Sequence, residues 1–210
     1  MLLSQLQALA ATPSEGVVRV ASNSRVDITK VLDRGAADVM VPRIETAADA
    51  QTAASHVRYP PHGDRGVALM NRGAGFGTIS AHNLKAVEPL LIVQIETPPA
   101  LSNLSAIAGT AGVDVLFVGP SDLTWSLGVA GQFDDDRYRA AVRDVAEAAA
   151  KHSKAAGVLL SDIEMAPRYL DLGYTFIGIS GDAGFLQVAA RAAVTKLRDL
   201  TSHPSTAPHH

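Results

Sequence analysis

The sequence predicts an α/β protein in which a parallel sheet is covered by helices, and three observations carry that prediction. Short apolar runs, each of about four to eight residues, alternate with amphipathic helix-forming stretches along the chain. Two such strand-then-helix units follow one another between Leu90 and Leu127, LLIVQIETPPALSNLSAIAGTAGVDVLFVGPSDLTWSL. Polar side chains stand at several different strand ends: Arg19, Arg43, Glu96, Asp122 and Ser161. A barrel draws its functional groups from the carboxyl ends of many strands, so this distribution favours a TIM-type barrel over an open doubly wound sheet. No strand is followed by G-x-G-x-x-G, and no G-x-x-x-x-G-K-[ST] occurs, which weakens nucleotide-binding alternatives.

The elements follow in order. MLLSQLQALAATPSEG opens as an amphipathic helix with Leu2, Leu3, Leu6 and Leu9 on roughly one side. Val17 to Ala21 is a strand, and Val26 to Arg34 a helix ended by Gly35. Strand Asp38 to Ile44 leads to helix Thr46 to Val57, which Thr46 can cap. Arg58 to Val87 is rich in Gly, Pro and Asn and reads as a long functional loop. Apolar runs Leu90 to Val93 and Val113 to Val118 supply two strands, before an alanine-rich helix from about Asp134 to His152. Strand Gly157 to Leu160, helix Ile163 to Leu172 stopped by Gly173, strand Thr175 to Ile179 and a helix from about Ala183 to Leu200 complete the series. That makes six strands, where a complete barrel has about eight.

With 210 residues and 47% hydrophobic content, the chain can bury one sizeable core, and 1–202 is expected to be a single domain. The polar tail 203–210 is expected to be disordered. A net charge of -3, with 18 Lys and Arg dispersed along the chain, argues against a nucleic-acid partner. No apolar run nears the roughly 18 residues of a membrane span, and the amino terminus lacks the features of a signal peptide. The absence of cysteine excludes disulfides and thiolate chemistry and suits a cytoplasmic setting.

Glu96 and Asp122 follow consecutive strands, so in a parallel sheet both emerge at the same carboxyl-terminal edge. Two oxygen ligands there suit a hard divalent cation such as Mg²⁺; the alternative is that each caps the helix that follows. Gly119-Pro120-Ser121 forms a turn whose backbone N–H groups can receive a carboxylate or phosphate, or serve as a plain strand-to-helix connection. Arg19 interrupts the apolar strand VVRVA and must either face an anionic substrate or pair with an acid. Arg43, after Pro42, poses the same choice. His56, His62, His82 and His152 read as surface residues, as do His203, His209 and His210 in the tail, and no G-x-S-x-G serine nucleophile is present.

These residues resemble the HpcH/HpaI aldolase and citrate lyase family, the metal-dependent class II pyruvate aldolases. The likeness runs through SQLQALAATPSEGVVRVASN, VLDRGAADVMVPRIETAADA, RYPPHGDRGV, VQIET, GVDVLFVGPSDL and RYLDLGYTFIGIS, and RYPP-x-G-x-RG leans towards the hydroxy-ketoacid aldolase branch. The resemblance implies a (β/α)8 barrel that assembles as a homo-oligomer through its last helix. It implies Glu96 and Asp122 as ligands of Mg²⁺, Mn²⁺ or Co²⁺, and Arg19 as the arginine that binds the pyruvate carboxylate and steadies its enolate. Gln94 matches a glutamine near the pyruvyl oxygen, Gly119, Pro120 and Ser121 the carboxylate cradle, and Asp33 an aspartate near a subunit-interface site. The implied reaction is reversible cleavage of a 4-hydroxy-2-oxo acid to pyruvate and an aldehyde.

The family pattern also contains two earlier strand-helix units and an Asp-x-Glu-His motif that supplies a general base. No Asp-x-Glu-His occurs in these 210 residues. The expectation is therefore an N-terminally shortened, incomplete barrel of about six strands, with proton transfer slowed by roughly 10² to 10⁴. A non-catalytic assembly subunit and an acyl-CoA lyase of the citrate lyase type are the alternatives.

Overall fold

The computed structural model describes residues 1–84, 86 and 88–202, and the expected tail 203–210 lies outside them. In chain order the elements are α1 (Leu2–Leu9), β1 (Val17–Arg19), α2 (Arg25–Asp33), β2 (Asp38–Val41), α3 (Ala47–Val57) and α4 (Ala81–Leu84). Then come β3 (Leu91–Ile95), α5 (Pro98–Ser102), α6 (Leu104–Ala108), β4 (Val115–Val118), α7 (Pro120–Ser126) and α8 (Asp136–Lys151). The series closes with β5 (Ala155–Leu160), α9 (Ala166–Asp171), β6 (Tyr174–Ile179) and α10 (Asp182–Ser202). The strands form one parallel sheet in the order β1-β2-β3-β4-β5-β6. Strictly sequential order leaves no reversal point, so right-handed crossovers put the helices on one face and the sheet curls into part of a TIM-type α/β barrel.

Alternation along each strand sorts the side chains. Val39, Val41, Val93, Ile95, Leu116, Val118 and Val158 point outward into the main core beneath the helices. Met40, Ile92, Val115, Phe117 and Phe176 point into the concave interior as a second, smaller cluster. Phe117 and Phe176 meet edge to face at 6.1 Å. A Cβ on Gly157 would lie 2.6 Å from the Phe117 ring, so glycine makes the room that ring occupies.

Local chemistry moves several expected boundaries. Thr46 caps α3 in a full capping box with Asp49. The Asp135 carboxylate accepts the Arg137 N–H, so α8 starts at Asp136 and not Asp134. The helix expected from Ile163 begins as a 3₁₀ turn, Ile163–Met165, because Pro167 fits only the first turn of α9. Strand β1 is shorter than VVRVA, ending at Arg19. In α1 only Leu6 is buried and Leu3 faces solvent, which narrows the expected four-leucine face. The long segment after Arg58 holds a 3₁₀ stretch, Arg72–Gly77, and α4. His56 and His152 are half-buried, against the surface expectation, because each finds a partner: Asp64 Oδ1 at 3.1 Å and Ser105 Oγ at 3.0 Å.

One polar tie fastens the base of the sheet. Arg58, just after α3, donates to the carbonyls of Pro89 and Gly112 and to Asp114 Oδ2 at 3.2 Å, while that same oxygen accepts the Leu91 N–H at 2.8 Å. Arg58→Met keeps the aliphatic stem but strands these acceptors. It is expected to lower stability by about 1–3 kcal/mol in urea unfolding, with an unchanged m-value.

Candidate active site

A cavity of about 990 Å³ opens at the carboxyl ends of the strands. It is lined by Arg19 from β1, Pro42 and Arg43 after β2, Gln94 and Glu96 at the end of β3, and Gly119 to Asp122 after β4. Period-two alternation puts Gln94 and Glu96 on the same inward face, two residues apart. The β3–β4 register sets Gln94 beside Phe117 and Ile95 beside Val118, which brings Glu96 level with Gly119.

Glu96 is only 5% exposed. Its Oε1 accepts the Arg43 N–H at 2.9 Å, and its own carbonyl accepts the Ser126 hydroxyl at 3.0 Å. Burial pushes the Glu96 carboxyl above its usual range; the Arg43 hydrogen bond opposes this and the Asp122 charge adds to it. Gly119 leaves the space the carboxylate fills, since a Cβ there would stand 2.7 Å from Glu96 Oε2. Gly119 is also the N-cap of α7, with Pro120 at the first position, Ser121 exposed and Asp122 in the first turn. The leading N–H groups of a helix have no intrahelical acceptor, which suits this turn to an anion.

The other expected residues separate into two groups. Arg19 lines the cavity, and no ion pair of its side chain is found among the described residues. Gln94 is buried in the same wall, and its Oε1 has no hydrogen-bond partner. Asp33 is not brought here. It stands in the last turn of α2, bonded at 3.1 Å to Arg65, which is itself buried and stacked on Tyr59 at 4.6 Å. Trp125 and the Arg43 backbone are cavity groups that sequence patterning did not single out. The chain's single Trp, three residues after Asp122 in GPSDLTWSL, was the available signal for the first of these.

This donor set fits a divalent cation. A buried carboxylate, a second carboxylate raising its proton affinity, and an orphaned amide oxygen share one wall, an all-oxygen donor set of the kind a hard divalent cation takes. The Arg19 and Arg43 charges only partly offset the acids. Among the described residues no group of three or more His, Cys, Asp or Glu could hold a metal, so a cation here would have two acids for its protein ligands. Substrate oxygens and water complete such a shell.

A curled parallel sheet with an arginine, a glutamine and two carboxylates gathered at its carboxyl edge has the layout of an α/β-barrel enzyme, whose active site lies at that edge. The family model for HpcH/HpaI aldolase/citrate lyase matches residues 1–189. A 5-keto-4-deoxy-D-glucarate aldolase of Klebsiella pneumoniae is 39% identical over 199 residues, 94% of this chain and 76% of that protein. A crystal structure of an HpcH/HpaI aldolase/citrate lyase family protein from Burkholderia cenocepacia superposes with a TM-score of 0.89 at 38% identity, covering 94% of this chain and 79% of that one. An HpcH/HpaI aldolase from Desulfitobacterium hafniense shares the fold at TM-score 0.87 and 23% identity, over 99% of this chain and 80% of its own. The chain belongs to the HpcH/HpaI aldolase/citrate lyase family.

Proposed function

We propose that this protein is a metal-dependent aldolase that reversibly cleaves a 4-hydroxy-2-oxo acid to pyruvate and an aldehyde, with a hydroxy-oxo diacid of the 5-keto-4-deoxy-glucarate type as its substrate class. The observation that carries the reading is the convergence of Arg19, Gln94, Glu96 and Asp122 on one cavity. Glu96 and Asp122 hold Mg²⁺, or Mn²⁺ or Co²⁺ in its place. When bound, that ion supplies Lewis-acid stabilisation of the negative charge developing on the keto oxygen. The Arg19 guanidinium binds the oxo-acid carboxylate, together with the N–H groups of the Gly119-Pro120-Ser121 turn. Gln94 steadies the keto oxygen from the buried side. The described residues lining the cavity include no histidine, so proton transfer is the step these side chains serve least.

Decarboxylation of oxaloacetate generates the same enolate by losing CO₂, without proton abstraction. Pyruvate release from oxaloacetate should therefore depend on added metal and exceed aldol cleavage by this chain. Pyruvate from neither substrate, with or without metal, would refute the aldolase and favour a non-catalytic assembly subunit; dependence on a CoA thioester would favour the citrate lyase type. Arg19→Ala should lower kcat/KM for the oxo acid about 10- to 100-fold, the value of a charge-assisted hydrogen bond. Metal and proton compete for Glu96, so metal affinity should fall as pH drops, starting above the ordinary glutamate range.

A homo-oligomer belongs to the same proposal. Phe185, Leu186, Val188, Val194, Leu197 and Leu200 of α10 are all exposed in the single chain. Light scattering on the purified protein tests it, a monomer being the contrary result. Among the described residues no helix is long and apolar enough to cross a membrane. A cytoplasmic location goes with the cysteine-free sequence.

A further inference from the structure

Arg43 has φ +53, a left-handed backbone conformation that non-glycine residues adopt at a cost. The flanking residues show why it is needed here. In an extended strand, residues 42 and 44 would share one face. Instead Pro42 lines the cavity while Ile44 is fully buried in the helix-side core, its N–H donating to the Gln94 carbonyl at 3.3 Å. The reversal at Arg43 switches the chain from one face to the other and turns the Arg43 N–H onto Glu96 Oε1 at 2.9 Å. The guanidinium is 73% exposed and 3.6 Å from Glu45. Its pull on the Glu96 charge is the weakest of those acting there and is screened by water, whereas the backbone N–H makes the direct contact. On the other side of the carboxylate, Gly119 presents bare backbone to Oε2. The carboxylate is thus held between one directed donor and one flat wall.

We propose that Arg43 is a positioning residue that acts through its left-handed backbone, not its charge, to aim the Glu96 carboxylate at the bound cation. The inference rests on the metal site proposed above and concerns what holds its buried ligand in place. A side chain that resists the left-handed region should loosen the site, and one that accepts it should not.

The test is a backbone series read by Mn²⁺ affinity in calorimetry, beside amide hydrogen exchange in the metal-free protein. Glycine accepts this conformation freely and a β-branched residue resists it most. Arg43→Val should bind Mn²⁺ about 10-fold more weakly than Arg43→Gly, a loss of the size found for groups that orient a ligand. Arg43→Gly should bind at least as tightly as the parent chain despite having lost the charge. In the metal-free protein, Glu96→Ala should speed exchange at the Arg43 amide about 10-fold, as expected when a hydrogen bond to a charged group is removed. Equal weakening by Gly and Val would assign the effect to the guanidinium and overturn the proposal. An Arg43 amide indifferent to Glu96→Ala would overturn it by showing that the contact is absent. No Mn²⁺ binding by the parent chain would refute the metal site, and the inference with it, even if the amide result held.

Discussion

Glu96→Gln is expected to abolish divalent-metal binding, seen as an Mn²⁺ affinity at least about 100-fold weaker, because removing even an outer-shell partner of a ligand costs 10- to 100-fold. The substitution keeps the side-chain volume and an oxygen that can still accept the Arg43 N–H, so it isolates the charge. The same change should leave the metal-free protein no less stable at neutral pH. Burial has raised the Glu96 pKa in the folded state, so the protonated form is the one the fold favours. Stability from that group is fully present below the unfolded pKa and is lost as pH rises through the folded pKa. Glutamine carries no such loss, so the variant's melting temperature should meet or exceed the parent's above that range. A variant that unfolds early at pH 7 would instead make Glu96 a structural acid and dismantle the metal assignment.

That double signature, harmful to binding and harmless to folding, could be expected from the sequence only in part. VQIET and GVDVLFVGPSDL announced strands whose ends carry acids, because an apolar run followed by a carboxylate and a helix signal is local information. Arg19 was equally legible, since a guanidinium inside VVRVA needs a special reason. The barrel was legible from polar residues spread over many strand ends, Arg19, Arg43, Glu96, Asp122 and Ser161, and the sequential strand order agrees with it. Arg43 was visible as a residue but not as a backbone donor: a positive φ on a non-glycine arises from where Pro42 and Ile44 are buried, which is tertiary. Gln94 was marked only by the family resemblance, and its orphaned oxygen follows from tertiary packing that no local pattern shows. Asp33 illustrates the limit in the other direction, because its tie to Arg65 across RYPPHGDRG joins residues 32 positions apart and depends on how a long loop folds back.

Gly119→Ala tests the same carboxylate from its other side and should weaken Mn²⁺ binding about 10- to 100-fold, since displacements near 1 Å in such a site cost about that much. The backbone raises no objection to alanine, because Gly119 has φ -92 and ψ 93, which any residue adopts. The obstacle is space. The new Cβ would lie 2.7 Å from Glu96 Oε2, a separation real Cβ atoms essentially never show, and 3.4 Å from both Gln94 Nε2 and Glu96 Cβ. The Glu96 carboxylate must then slide along the cavity wall, stretching its bond to the Arg43 N–H and changing its aim relative to Asp122. Shortening the acid should undo part of the damage. Glu96→Asp alone pulls the carboxylate back from the cation, but combined with Gly119→Ala it removes the clash. The double variant should therefore bind Mn²⁺ more tightly than the two single losses added together, a coupling that a double-mutant cycle measures directly. Strict additivity would mean that Gly119 does not shape the seat of Glu96, and that the close approach of the two has no part in binding.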